Sequence, residues 1–206
     1  MSGGLFITLE GGDGVGKSTQ AALLEEWLTG RGRTVLRTRE PGGTDAGVEI
    51  REIVLHYRGD IAPRAEALLY AADRAHHIST VVRPALARGE VVVQDRYIDS
   101  SVAYQGAGRV LDAQQIRDLS LWAAEGLLPD LTILLDLDEH TARARLDTSR
   151  TRYDRLEAER SEFHARVRAA YLALADDEPD RFLVVDAARP VEEIAAEIRD
   201  RLATRV

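Results

Sequence analysis

The chain has 206 residues, carries 35 acidic against 27 basic side chains for a formal net charge of −8, and contains no cysteine. That length suits one globular domain with a substantial apolar core, here taken as residues 1–206. The acidity argues against broad binding to nucleic acid or to an anionic membrane, and the lack of cysteine excludes disulfides and thiolate metal sites.

The N-terminal MSGGLFITLEGG has no basic region ahead of a long apolar stretch, so it does not read as a signal peptide. The longest apolar runs are of strand length, far short of a membrane span, and a cytoplasmic protein is expected. Leu5 to Leu9 reads as a first strand. It runs straight into GGDGVGKS, Gly11 to Ser18, which matches G-x-x-x-x-G-K-[ST] between a strand and a helix marked by Ala21, Leu24 and Leu28. In that context Gly11, Gly12, Asp13, Gly14, Val15, Gly16, Lys17, Ser18 and Thr19 form a loop whose backbone N–H groups surround a nucleotide's phosphates, the alternative being a glycine turn with a merely solvated lysine. Lys17 reaches the β and γ phosphates and Ser18 binds Mg²⁺. Lys17 is also the only lysine of the chain. A compact ammonium has been kept where every other basic position takes the planar fork of arginine.

Thr34 to Thr38 reads as a second strand, followed by the turn-forming TREPGGT, with Arg39, Glu40 and Arg51 expected near the same strand ends. In EALLYAADRAHH, Tyr70 and Arg74 stand at i and i+4, on one helix face. A ring and a guanidinium one turn apart suit a nucleobase, but core packing beside a surface arginine gives the same spacing. His76 and His77 read as partly exposed helix residues without metal-ligand spacing. Val91 to Gln94 is a third, buried strand. At its carboxyl end Asp95 can support the magnesium shell and Arg96 can grip a phosphate, or the two can be a structural ion pair.

Leu131 to Leu137 and Phe182 to Val185 complete five strands, and Val191, Ile194, Ile198 and Leu202 mark a last helix. Strand–helix alternation implies an α/β fold, a five-stranded parallel sheet flanked by helices. The segment LDTSRTRYDRLEAER is the candidate mobile excursion, an arginine-rich lid at about 146–157. Its arginines offset phosphate charge or are solvated on an exposed helix start.

Taken in order, EGGDGVGKST, REPGGT, LLYAADR, DRYIDSSVAYQG, PDLTILLDL and YDRLE resemble the thymidylate kinase family nearly end to end. The resemblance implies the P-loop nucleoside-monophosphate kinase fold, transfer of the ATP γ-phosphate to dTMP with Mg²⁺ as cofactor, and a homodimer. It makes Tyr70 the ring stacked on thymine, Arg74 the partner of a thymine carbonyl and Ser101 a small polar contact to the ring. Arg51 and Arg96 hold the acceptor phosphate, and Glu40 and Gln105 lie beside it. Asp13 orients the sugar 3′-hydroxyl, and Tyr104 crowds the 2′ position so that deoxyribose is preferred. Arg143 and Arg189, the latter in VVDAARP, are the adenine contacts. Some members carry an arginine directly after the loop aspartate; Gly14 stands there in this chain, so Arg150, Arg152 and Arg155 of the lid become the sources of catalytic positive charge. Glu157 is a possible acid near the metal or acceptor.

Two alternatives are open at this stage. A kinase for another monophosphate or a deoxynucleoside shares the phosphate loop, although paired Arg51 and Arg96 favour a phosphorylated acceptor. A GTPase-like switch needs an N-K-x-D element, and the chain has no asparagine.

Overall fold

The computed structural model describes residues 3–149 and 153–204. Arg150 and Arg152 of the expected lid lie outside the described residues.

The strands are β1 (Leu5–Glu10), β2 (Val35–Arg39), β3 (Val91–Asp95), β4 (Leu131–Asp136) and β5 (Phe182–Asp186), joined into one parallel sheet in the order β2-β3-β1-β4-β5. Each lies within a residue or two of its sequence-predicted bounds. All six residues of β1 are buried, as a central strand covered on both faces requires. Its side chains divide with the period of two. Leu5, Ile7 and Leu9 pack with Leu24 and Leu28 of α1 (Lys17–Gly30) and with Ile194, Ile198 and Leu202 of the last helix, α9 (Val191–Leu202). Phe6 points the other way, into a cluster with Ala67, Ile78, Val82, Tyr97, Ile98 and Val102. Val191, read as part of the apolar stripe of α9, is instead 46% exposed as the first residue of that helix, directly after its N-cap Pro190.

Between the strands run α2 (Asp45–His56), α3 (Pro63–His77), α4 (Arg83–Ala87), α5 (Ile98–Ser101), α6 (Ala113–Ala123), α7 (Glu139–Ser149) and α8 (Ser161–Asp177). Two segments depart from the α-helical period: Ile78–Val82 and Val102–Gly108 are π-helical. In the second, the Arg109 amide donates to the Tyr104 carbonyl and that of Leu111 to Gly106, both five residues back. Such widened turns recur at functional sites, and this one carries Tyr104 and Gln105. The expected lid begins inside α7 and continues as a turn at 153–159.

His77 corrects the sequence reading: it is completely buried, with Nε2 2.7 Å from Thr38 Oγ1 and Nδ1 2.9 Å from Glu40 Oε1, while its neighbour His76 is exposed. An i, i+1 pair on a helix faces two directions, and position 77 faces the sheet.

Candidate active site

At the carboxyl ends of β1 and β3 the chain turns abruptly. Gly11 has φ +128 and Gly14 φ +79, and a Cβ on either would come within 2.4 Å of the Leu135 carbonyl oxygen or 2.6 Å of the Ala142 carbonyl oxygen. Gly14 is therefore demanded by α7 passing close over the loop. Lys17, the first residue of α1, is 7% exposed, and its ammonium donates to the Gly12 carbonyl at 2.6 Å and the Gly11 carbonyl at 3.2 Å. Burial lowers its pKa, and the nearby Arg96 adds to that effect.

Arg96 is the hub of the site. It adopts φ +68, a region rare for a side-chain-bearing residue, held by a hydrogen bond from its amide to the Leu9 carbonyl at 3.0 Å and by Gln94 Nε2 donating to its own carbonyl at 3.0 Å. Its guanidinium donates to Asp13 Oδ1 at 2.6 Å, the Tyr104 hydroxyl at 3.2 Å and the Gly11 carbonyl at 3.2 Å, with longer contacts to Ser100 and Tyr171. The Tyr104 hydroxyl also donates to Asp13 Oδ2 at 3.2 Å. Burial acts to raise the Asp13 carboxyl, but Arg96 and Lys17 overcome it and hold the group well below the usual carboxylate range. Asp13 and Arg96, expected to touch different parts of a substrate, are thus an ion pair across the loop.

One hollow gathers all nine residues expected around an acceptor: Asp13, Glu40, Arg51, Tyr70, Arg74, Arg96, Ser101, Tyr104 and Gln105. Several of them are fixed by partners that sequence reasoning missed. Arg74, 2% exposed, donates Nε to Glu40, one Nη1 hydrogen to Ser120 and two Nη2 hydrogens to the Tyr97 carbonyl and Ser101. A guanidinium has five N–H groups, so one at Nη1 remains. Glu40 in turn is held by Arg74 and His77, and the Gly42 amide donates to Asp73 at 3.1 Å, which pins the REPGGT turn onto α3. Arg51 donates to the Pro41 carbonyl at 2.9 Å. Gln105 donates to Glu66 at 2.8 Å, and that fully buried carboxylate also receives Arg109 and Arg155. Arg155, expected among the charge-supplying lid residues, is turned instead toward α2 and α3: its Nε donates to the Val54 carbonyl and its Nη2 to Glu66.

A second hollow, beside β2 and α1, brings Ser18 and Asp95 together. Asp95 Oδ1 is buried there and, among the described residues, has no hydrogen-bond partner. A hydroxyl and an open carboxylate oxygen are hard oxygen donors of the kind magnesium takes, so these two residues fit that ion. Glu157, also expected at the metal, lies apart from them; its Oε2 accepts from the Asp154 amide at 2.9 Å between the acceptor hollow and a third one. That third hollow lies under α7 and α8 and is lined by Gly11, Gly12, Val15 and Arg143. Arg143 covers the Tyr153 ring at 3.9 Å and donates to the Glu157 carbonyl at 3.0 Å, tying α7 to the lid turn. Thr19 is exposed on α1. Arg189 lies away from these hollows, in the turn before α9, paired with Glu193 and Glu197 of that helix.

The family model for thymidylate kinase matches residues 9–198. The chain belongs to the thymidylate kinase family. A thymidylate kinase of Leifsonia xyli is 86% identical over 203 residues, covering 98% of this chain and 96% of that one. One from Clavibacter michiganensis is 76% identical, covering 96% and 94%. The crystal structure of thymidylate kinase from Ehrlichia chaffeensis superposes with a TM-score of 0.79 at 31% identity, over 97% of this chain and 99% of that one. This member of the thymidylate kinase family is accordingly an enzyme with the P-loop nucleoside-monophosphate kinase fold.

The family's signature stretches contain Glu10 and Asp73 but gave neither a role. Glu10 is completely buried at the end of β1, where burial and then Asp99 push its carboxyl up to about 7. Asp73 is raised to about 6 by burial and then by Glu40. A charged residue in a buried strand or on a sheet-facing helix position is the one available signal in the sequence, since such a side chain must find partners.

Proposed function

We propose that the chain transfers the γ-phosphoryl group of ATP to dTMP, giving dTDP and ADP for dTTP synthesis. The observation that carries this reading is the acceptor hollow: the side chains that the resemblance assigns to base, sugar and phosphate all line it, and it meets the phosphate loop at Asp13. Tyr70 stacks on thymine and the remaining Nη1 hydrogen of Arg74 meets a base carbonyl. Tyr104 closes the space at C2′. Arg51 and Arg96 hold the acceptor phosphate, an oxygen of which attacks the γ-phosphorus as its bond to the β-phosphate oxygen breaks. The nucleophile is already anionic, so no strong general base is needed, and alignment with charge compensation carries the rate.

Lys17 leaves the Gly11 and Gly12 carbonyls for the β and γ phosphates. Ser18 and Asp95 would hold magnesium, which supplies charge compensation on those phosphates when bound. Arg150 and Arg152 remain the lid's candidates for the transferring group, since Arg155 is committed to Glu66. Gly14 leaves the loop without an arginine, consistent with that assignment. A homodimer in the cytoplasm completes the reading; Ile53 on α2 and Leu68 on α3, 44% and 57% exposed, are apolar side chains that a second copy would cover.

The test is a coupled ADP-release assay with dTMP, dUMP, dCMP, dGMP and thymidine. dTMP is expected to be turned over most efficiently and thymidine not at all; equal use of thymidine would overturn the role of Arg51 and Arg96.

A further inference from the structure

Behind Arg96 lies a buried carboxylate that the transfer reaction does not itself use. Glu10 Oε1 accepts from the Tyr97 amide at 2.7 Å, and its Oε2 accepts from the Ser100 hydroxyl at 2.6 Å and the Tyr171 hydroxyl at 2.9 Å. Those same two hydroxyl oxygens receive Arg96 Nη1, at 3.3 and 3.4 Å. Each hydroxyl has one hydrogen and two lone pairs. The two hydroxyl oxygens also lie 2.7 Å apart, so one hydrogen is shared between Glu10 Oε2 and the neighbouring hydroxyl; with neither hydrogen aimed at Arg96, lone pairs are left facing the guanidinium. We infer that Glu10 is a positioning residue for Arg96, acting through the hydroxyls of Ser100 and Tyr171 to orient the guanidinium toward the acceptor phosphate.

The alternative, a carboxylate that only joins β1 to α5 and α8, does not need the two hydroxyls polarised in one direction. Nor does it predict what an amide does here. In Glu10→Gln the side-chain oxygen must remain on the Tyr97 amide, so the NH₂ group falls where Oε2 stood. It then donates to Ser100 or Tyr171, and the displaced hydroxyl hydrogen turns toward the guanidinium. The residue keeps its volume and its place in the strand, but the contact with Arg96 changes from attractive to repulsive.

The inference rests on the reading of Arg96 as an acceptor-phosphate ligand, and the experiment separates the two. Binding of dTMP, and separately of a non-hydrolysable ATP analogue, is measured by calorimetry above pH 8, where the Glu10 carboxyl, raised to about 7, is ionised, for the wild type, Arg96→Ala, Glu10→Gln, Tyr171→Phe and the Glu10→Gln/Tyr171→Phe double variant, with thermal unfolding of each. Glu10→Gln is expected to weaken dTMP about tenfold, the scale of one hydrogen bond to a charged group, with the ATP analogue bound as in the wild type. The double variant is expected to lose less than the product of the two single losses, because both act on the same contact. Tyr171→Phe removes one hydroxyl without touching the strand, so it reads the relay even if Glu10→Gln folds poorly. Unchanged dTMP binding in Arg96→Ala would overturn the reading of Arg96 itself. With Arg96→Ala impaired, wild-type dTMP binding in Glu10→Gln and Tyr171→Phe, equal losses for dTMP and ATP analogue, or strictly multiplicative losses in the double variant would each overturn the role of Glu10 alone.

Discussion

The ammonium of Lys17 sits inside the curl of its own loop, a space in which two backbone carbonyls are its only hydrogen-bond partners among the described residues. A planar guanidinium is too wide for that space and presents its donors in a fixed fork. Lys17→Arg is expected to fold normally and to lose activity by about a hundredfold or more, the scale seen on removing one aligned charge-stabilising donor; kcat beside a circular dichroism melt checks it. The buried carboxyls give a second expectation. Glu10 and Asp73 are raised to about 7 and about 6, so the folded chain binds protons that the unfolded chain has released. Their contribution to stability is present below the ordinary carboxylate range and is lost as pH rises toward 7. Melting temperature is expected to fall between pH 5 and 7.5, less steeply in Glu10→Gln; identical slopes would refute it. Lys17, Arg96 and Tyr70 were legible from the sequence because loop, strand end and helix face each constrain a residue type. Glu10, Asp73 and His77 were not, because partners 31 to 161 positions away define them and no local spacing records such a meeting.

At the scale of elements, the strands were legible because five short apolar runs alternate with three- and four-residue periodicity. The π-helical turn at Val102–Gly108 was not, since its extra residue is accommodated by contacts from elsewhere: a Cβ on Gly108 would meet the Phe163 ring of α8 at 2.6 Å. The lid turn is held by an equally non-local device, Arg155 bridging Glu66 of α3 and the Val54 carbonyl of α2, backed by an Arg155 amide bond to the Leu55 carbonyl at 3.0 Å. Arg155→Ala removes the charged part of that clasp and leaves Glu66 with Gln105 and Arg109. Amide exchange at 153–159 is expected to accelerate while exchange in β1 and β3 stays as in the wild type. A uniform acceleration would mean that Arg155 supports the whole core.

For the whole molecule, the proposed lid arginines and the proposed homodimer each carry an expectation. Alanine at Arg150 and Arg152, together, is expected to lower kcat far more than it raises KM for ATP, the pattern of an interaction made in the transition state. Steady-state kinetics with both substrates varied, plus direct ATP binding, separates this from a lid that merely clamps nucleotide. Leu68→Asp is expected to shift the sedimentation coefficient from dimer toward monomer, since it would place a charge in the proposed apolar contact. Having one lysine also makes the chain a reporter of itself. Apart from the terminal amine, an amine-directed reagent has a single side chain to modify, and it is the one that the phosphate loop encloses. Its lowered pKa raises the reactive neutral fraction when the loop is empty, and a bound triphosphate restores the charge and covers the nitrogen. Acylation of this one position, followed by mass, is therefore expected to slow with nucleotide occupancy, so that the enzyme can be titrated without mutation or coupled assay.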